Sequence, residues 1–473
     1  MLYEKYLGII DEKRHEIEKI SDAIWDNPET AFGEYAASEL LCEKLCENGF
    51  TVTKGVCGIP TAFVATYGEG HPHLGILAEY DGLSGMSQEA CVSEKSPIEG
   101  KENNHSCGHN LFAAGSLGAA LAIKEFVKDT GCGSITLFGC PAEEGGAGKV
   151  YMARDGLFND IDAVVSWHPE SMYMVRTRPA LANVKVEYSF EGIAAHAGAN
   201  PDKGRSALDA VELMNVGSNY LREHMPLTAR VHYAVLDAGG DAPNMVQSHA
   251  KVLYMIRDVD AESVQSLRAR IDDIARGAAL MTGTKVTFHV TSAYADLITI
   301  PTLQAVANEA MHDIPVPVPT EHELEFGRAL QATMTLTKEQ KASAPYAERV
   351  LDPAPPVAHG GSTDTADVSW NAPTVQMHIA TWVKGTPGHS WQSEAQGKST
   401  YAKKAMLYAA KAVAATLARL FDEPKLLAKA RDEHKEKIGE GYVCGIPEGN
   451  KPAIKPALSH KKEYMSCKCR QNC

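Results

Sequence analysis

The stretch Val184-Lys185-Val186-Glu187-Tyr188-Ser189-Phe190 alternates strictly between apolar and polar residues. A period of two puts Val184, Val186 and Tyr188 on one side and Lys185, Glu187 and Ser189 on the other, so this strand has one buried and one solvated face. The chain before it reads differently. Short apolar runs at Thr61–Thr66, Leu74–Ala78, Ser134–Cys140 and Ile161–Trp167 are bounded by glycine, proline and charge, as buried strands are. Helical spacing separates them. Ile17, Ile20 and Ile24 share a face, as do Ala37, Leu40, Leu41 and Leu45 ahead of the capping Gly49. Asn110–Lys128 reads as a buried helix and Gly148–Asp155 as a short one. Such alternation implies an α/β sheet covered on both faces. After residue 183 the order becomes strand 184–190, helix 206–224, strands 230–236 and 250–258, helix 261–281 and strand 285–291. That β-α-β-β-α-β order predicts a ferredoxin-like α+β module inserted into the larger unit, which resumes near Thr302. The expectation is a two-domain α/β protein: a mixed-sheet domain over 1–182 and 299–440, an inserted domain over 183–298, and a tail over 441–473.

A chain of 473 residues has room for two or three such units. Hydrophobic residues at 44% exclude a disordered or fibrous chain. The net charge of −14 argues against nucleic acid as the main partner, though a few local arginines suffice for a small acid. The apolar run Leu111–Ile123 is shorter than the roughly 20 residues a bilayer span needs, and Met1–Arg14 has no apolar signal core. The 11 cysteines, odd in number and scattered, read as thiols of a reducing cytoplasm. Pro315–Pro319 and Pro353–Pro356 read as loops, and Pro424–Lys437 as a solvated helix. The terminal Cys467, Cys469 and Cys473 read as a frayed end before they read as a metal site.

Chemistry concentrates in four stretches. Cys107 and His109 flank a glycine ahead of the buried helix, so thiol and imidazole can converge on one centre. Glu143 and Glu144 follow a strand, where one carboxylate can bind metal while its neighbour moves protons. His168 closes another strand, and His389 lies in Pro387-Gly388-His389-Ser390-Trp391. Each has a structural explanation alone; together they fall where α/β folds place their sites. The glycines at 145–148 do not make a phosphate loop, because Glu143 and Val150 stand where that motif requires Gly and Ser/Thr.

These stretches resemble the co-catalytic zinc/manganese amidohydrolase and aminoacylase family, which includes carboxypeptidase G and the indole-acetyl-amino-acid hydrolases. Ala78-Glu79-Tyr80-Asp81, Cys107-Gly108-His109-Asn110, Gly361-Ser362-Thr363-Asp364, Asp367-Val368-Ser369-Trp370 and Thr386–Gln392 are most similar to its p-aminobenzoyl-glutamate branch. The resemblance implies hydrolysis of the amide of an N-acyl amino acid, p-aminobenzoyl-glutamate foremost, with aminoacylase, dipeptidase or indole-acyl-amino-acid hydrolysis as alternatives. It implies two divalent ions, zinc or manganese, on Cys107, His109, Glu144, His168 and His389, with Glu143 as general base and Asp81 supporting. It makes the inserted domain a lid and dimerisation module, in a homodimer or paired with a homologous subunit. In the lid, His196 would hold the oxyanion, and Asn244 and Arg257 the substrate carboxylate; a surface ion pair is the plainer reading of Arg257. Two positions depart from the wider family: Asn110 replaces a common Asp, and Glu79 replaces the histidine ligand of the carboxypeptidase G branch. Other readings are a cysteine hydrolase with Cys107 as nucleophile and His109 as base, and a non-catalytic partner subunit.

Overall fold

Two sheets carry the molecule. A computed structural model describes residues 3–353 and 361–456; the Cys467, Cys469 and Cys473 cluster and residues 354–356 of the proline loop lie outside them. The larger sheet has seven strands in the order Thr51–Lys54, Phe63–Gly68, Ser134–Cys140, His73–Glu79, Ala163–Glu170, Thr374–Ala380 and Met174–Val175. The four strands from Ser134–Cys140 to Thr374–Ala380 are mutually parallel. Antiparallel partners close both ends, which makes the sheet mixed. The central strands are buried along nearly their whole length, as continuous apolar runs require.

Helix His109–Thr130 lies against this sheet and packs on helices Arg14–Asp26 and Thr400–Asp422. It is long and apolar enough to cross a membrane, but 89% of its most apolar window is buried inside the protein, so it is a core helix. Gly115 lets it approach the sheet: a Cβ there would stand 2.7 Å from the Trp167 ring. Strand Thr374–Ala380 is not among the strands expected from the sequence, because Gln376 and His378 break its apolar run. Helix Pro424–Ile438 is only partly solvated. Leu427, Ala430 and His434 are buried on its inner face, against helix Pro301–Asp313.

The smaller sheet is antiparallel, in the order Arg230–Asp237, His249–Asp258, Ala182–Glu191, Lys285–Tyr294. In chain order that is 2-3-1-4, the arrangement of a ferredoxin-like module. Val184, Val186, Tyr188 and Phe190 are buried beneath helices Ala207–Leu221 and Ala261–Thr282, and the Tyr188 hydroxyl donates to Asp272 at 2.6 Å. Strand Arg230–Asp237 is an open edge on which Tyr233, Val235 and Leu236 are exposed.

Candidate active site

Four parallel strands end on one side of the large sheet, and the chemistry-bearing residues follow from those ends. Asp81 comes just after His73–Glu79, Glu143 and Glu144 after Ser134–Cys140, and His168 near the end of Ala163–Glu170. His389 lies on the loop beyond Thr374–Ala380. Cys107 and His109 join them from the N-terminus of helix His109–Thr130. Gly108 between them has φ +80°, and a Cβ there would meet Pro169 carbons at 2.8 Å. The tight turn that aims thiol and imidazole together therefore needs glycine. Gly108→Ala is expected to cost about 2–4 kcal/mol, from left-handed strain plus overlap, measured as a lowered denaturant midpoint. His389 is itself left-handed, φ +57°, and is held there by the helix cap that follows, where Ser390 and Ser393 bond reciprocally.

The donor atoms form overlapping triplets. Cys107, His109 and His168 place one donor each within 4.8 Å of one another, as do Cys107, Glu144 and His389. Cys107 belongs to both, with its Sγ 3.5 Å from His168 Nε2. Glu79, His109 and Glu143 make a third. Asp81 orients the set: it lies 3.1 Å from His109 Nδ1 through Oδ1 and accepts the Glu144 amide at 2.9 Å through Oδ2. That turns His109 Nε2 inward, 3.1 Å from Glu79. His389 Nε2 stands 3.3 Å from Glu144 Oε1. Yet among the described residues His109 Nε2 and Glu144 Oε1 are buried with no hydrogen bond of proper geometry, which leaves both with a donor lone pair to place. A thiol, three imidazoles and a carboxylate around such atoms fit a pair of divalent ions.

Electrostatics separates the two glutamates. Burial raises the Glu144 carboxyl, but the imidazoles of His389 and His109 outweigh it and hold the group down at about 2. Burial pushes Glu143 well up, and the charges of Glu79, Asp364 and Glu144 push it further. Neighbouring carboxylates driven apart in this way suit different roles. Burial, with Glu144 beside it, also pushes the Cys107 thiol well up. A bound cation is what would hold it as thiolate.

Behind the donors lies a charge network that joins Glu79 and Asp364, both in the motifs quoted above, through a lysine that no motif included. Lys149, fully buried on helix Gly148–Arg154, stands 2.6 Å from Glu79 Oε1 and pairs with Asp364. Asp364 also accepts the Lys149 amide at 3.0 Å. The only hint in the sequence is a lysine leading the apolar run Val150-Tyr151-Met152-Ala153. Lys149→Met would leave two buried carboxylates facing each other; a loss of about 3–5 kcal/mol in unfolding free energy is expected by denaturant titration.

Cys107, Glu143, Glu144, His168 and His389 line a cavity of about 350 Å³. Its remaining wall includes Arg176, Gln376 and His378, which sequence reading also missed because strands Met174–Val175, just before Arg176, and Thr374–Ala380 were unread. His378 sits directly beside His168 in the parallel register. The lid residues are placed differently. His196 and Asn244 are exposed and do not line this cavity. Arg257 is half-buried and reaches across to Ser362 of the large-sheet domain at 3.4 Å. From the lid strand's end, the Tyr294 hydroxyl donates to the Glu143 carbonyl at 3.1 Å.

The model of peptidase family M20/M25/M40 matches residues 76–438. The chain is 40% identical to a subunit of p-aminobenzoyl-glutamate hydrolase from Escherichia coli (strain K12), over 94% of this chain and 97% of that protein. It is 28% identical to mouse Xaa-Arg dipeptidase, over 91% of each. Among solved structures, it shares its fold with a dinuclear metal-binding peptidase of the M20 family from Bacillus subtilis, at TM-score 0.57 and 17% identity, covering 87% of this chain and 99% of that one. An aminobenzoyl-glutamate utilization protein from Klebsiella pneumoniae aligns at TM-score 0.58 and 17% identity, over 86% and 98%. The extent of these matches and the mixed sheet with its inserted antiparallel module agree: the chain is a hydrolase that belongs to peptidase family M20/M25/M40.

Proposed function

We propose that this chain is a two-metal amidohydrolase that cleaves the amide of an N-acyl amino acid, with p-aminobenzoyl-glutamate as the leading substrate. One observation carries the reading: the Cys107 thiol is common to two donor triplets, with Glu143 at their edge. Cys107, His109 and His168 would hold one ion, and Cys107, Glu144 and His389 the other. Zinc suits the thiolate and imidazoles best, and manganese is compatible. When bound, the ions polarise the amide carbonyl and make a water acidic. Glu143 takes the proton from the attacking water and returns it to the leaving amine, since an amide anion is a very poor leaving group. Asp81 holds the His109 ring in register.

The lid completes the site. We assign residues 183–298 to it, with 1–182 and 299–440 as the catalytic domain and 441–473 as a tail; the two separate sheets support that division. Arg257 and Asn244 would meet the substrate carboxylate. His196, exposed on its own chain, would stabilise the oxyanion in the site of a second subunit. The open lid edge with Tyr233, Val235 and Leu236 supports pairing with a like strand, in a homodimer or with a homologous subunit. The Escherichia coli relative is named as one subunit of its hydrolase, which supports the latter. Cys42, Cys57, Cys91, Cys107, Cys132, Cys140 and Cys444 are free thiols, which suits a reducing, cytoplasmic setting.

Dialysis of the purified chain against a strong chelator should abolish hydrolysis of p-aminobenzoyl-glutamate, and zinc or manganese should restore it. A thiol hydrolase would survive the chelator. Sedimentation should give a dimer, or the activity should rise on mixing with a homologous subunit. If the metal-loaded chain, alone and mixed, cleaves no aroyl-glutamate, acyl-amino acid or dipeptide, the assignment is wrong.

A further inference from the structure

Among the basic side chains near the donor cluster, which include Arg178 on the cavity wall and Lys185 on the lid, Lys149 and Arg176 are treated oppositely. Lys149 is neutralised by Glu79 and Asp364. Arg176, half-buried in the wall of the catalytic cavity, has no carboxylate within ion-pair distance among the described residues. It follows the short strand Met174–Val175, and its amide donates to the Gln376 carbonyl at 2.9 Å. Its guanidinium donates from Nη1 to Gln376 Oε1 at 2.7 Å and from Nε to the Arg178 carbonyl at 3.3 Å. Both acceptors are neutral. They orient the plane without forming an ion pair, and among the described residues the other N–H groups of the fork have no protein acceptor. The fields of Glu143 and Glu170 reach it without contact. Taking a guanidinium out of water with no partner is costly unless an anion arrives, and its planar fork fits a carboxylate in two-point contact.

With Arg257 and Asn244 of the lid assigned above to one substrate carboxylate, a cation on the opposite domain implies another. We infer that Arg176 is a specificity residue that receives a second carboxylate, the side-chain acid of an N-acyl acidic amino acid, and selects glutamate and aspartate over their amides. The inference rests on the amidohydrolase reading of the site. It makes Gln376 the positioning residue: its amide oxygen fixes the fork without neutralising it.

The test compares p-aminobenzoyl-glutamate with p-aminobenzoyl-glutamine, and with 4-carboxybenzoyl-glutamine, which carries its extra acid on the acyl side. Wild type should favour the glutamate compound in kcat/KM by about tenfold to a hundredfold, the worth of a charge-assisted pair. Arg176→Met should remove that preference by lowering kcat/KM for the glutamate compound far more than for the glutamine compound, with metal content retained, and Arg176→Lys should partly restore it. Equal loss on both substrates would make Arg176 merely structural and overturn the inference. So would no preference in wild type, or an Arg176-dependent gain confined to the 4-carboxybenzoyl compound. Calorimetry on the metal-loaded Glu143→Gln protein separates this from the parent reading. Arg176-dependent binding of the glutamate compound there, without turnover in wild type, would sink the proposed hydrolysis and keep the anion site. No difference in binding between the glutamate and glutamine compounds would sink the anion site.

Discussion

Glu143→Gln is expected to lower kcat by at least about a thousandfold while the protein keeps both ions and its affinity for substrate. The side chain keeps its shape and loses only its ability to accept a proton. Two transfers depend on that ability in the proposed reaction, one from the attacking water and one to the departing nitrogen, so the effect should lie near the upper end for general acid–base catalysis. Neither the Asp81 contact with His109 nor the Glu144 contact with His389 involves Glu143, so the donor frame should survive. The checks are steady-state kinetics and elemental analysis on the same sample. A variant that retained a tenth of wild-type turnover would place the base elsewhere.

Cys107→Ala should be the most damaging single change at the donor cluster. Of the two triplets proposed to hold the ions, His109, His168, Glu144 and His389 each belong to one, whereas Cys107 belongs to both. Loss of an outer partner of a ligand already costs about tenfold to a hundredfold in metal affinity. Loss of a shared ligand should weaken both sites by at least that factor, and activity should vanish at ordinary metal concentrations. His168→Ala and His389→Ala should each deplete one ion preferentially. Metal titration followed by calorimetry distinguishes the patterns. If Cys107→Ala bound both ions as wild type does, the thiol would not be shared.

Much of this site could be read from the sequence because its residues sit in short local motifs. Cys107-Gly108-His109 and Glu143-Glu144 are each fixed by one turn, and the structure brings them together with His168 and His389. The alternation of residues 184–190 likewise identified the inserted module, because one solvated face leaves a period of two. What escaped notice depends on pairings distant in sequence. Lys149 looks like an exposed helix residue until Asp364 arrives beside it. Arg176 acquires meaning only from Gln376, on a strand whose polar residues disguise it. His196 and Asn244 are easy to pick out by motif, but both are exposed and neither lines the described cavity, so a motif alone does not place a side chain at a site.

The pairing of strand Ala163–Glu170 with Thr374–Ala380 has a consequence for biosynthesis. The two strands are neighbours in the sheet, yet the whole inserted module is translated between them. Domains fold largely as units while the chain emerges from the ribosome. The nascent catalytic half must therefore wait with the strand carrying His168 exposed along one edge, while the inserted module has all its own strands and can fold first. Only after His389 has emerged can the cavity close. Under the two-metal reading proposed above, metal could load only late in the life of the chain, and Cys107 would spend its earliest moments as an unprotected thiol.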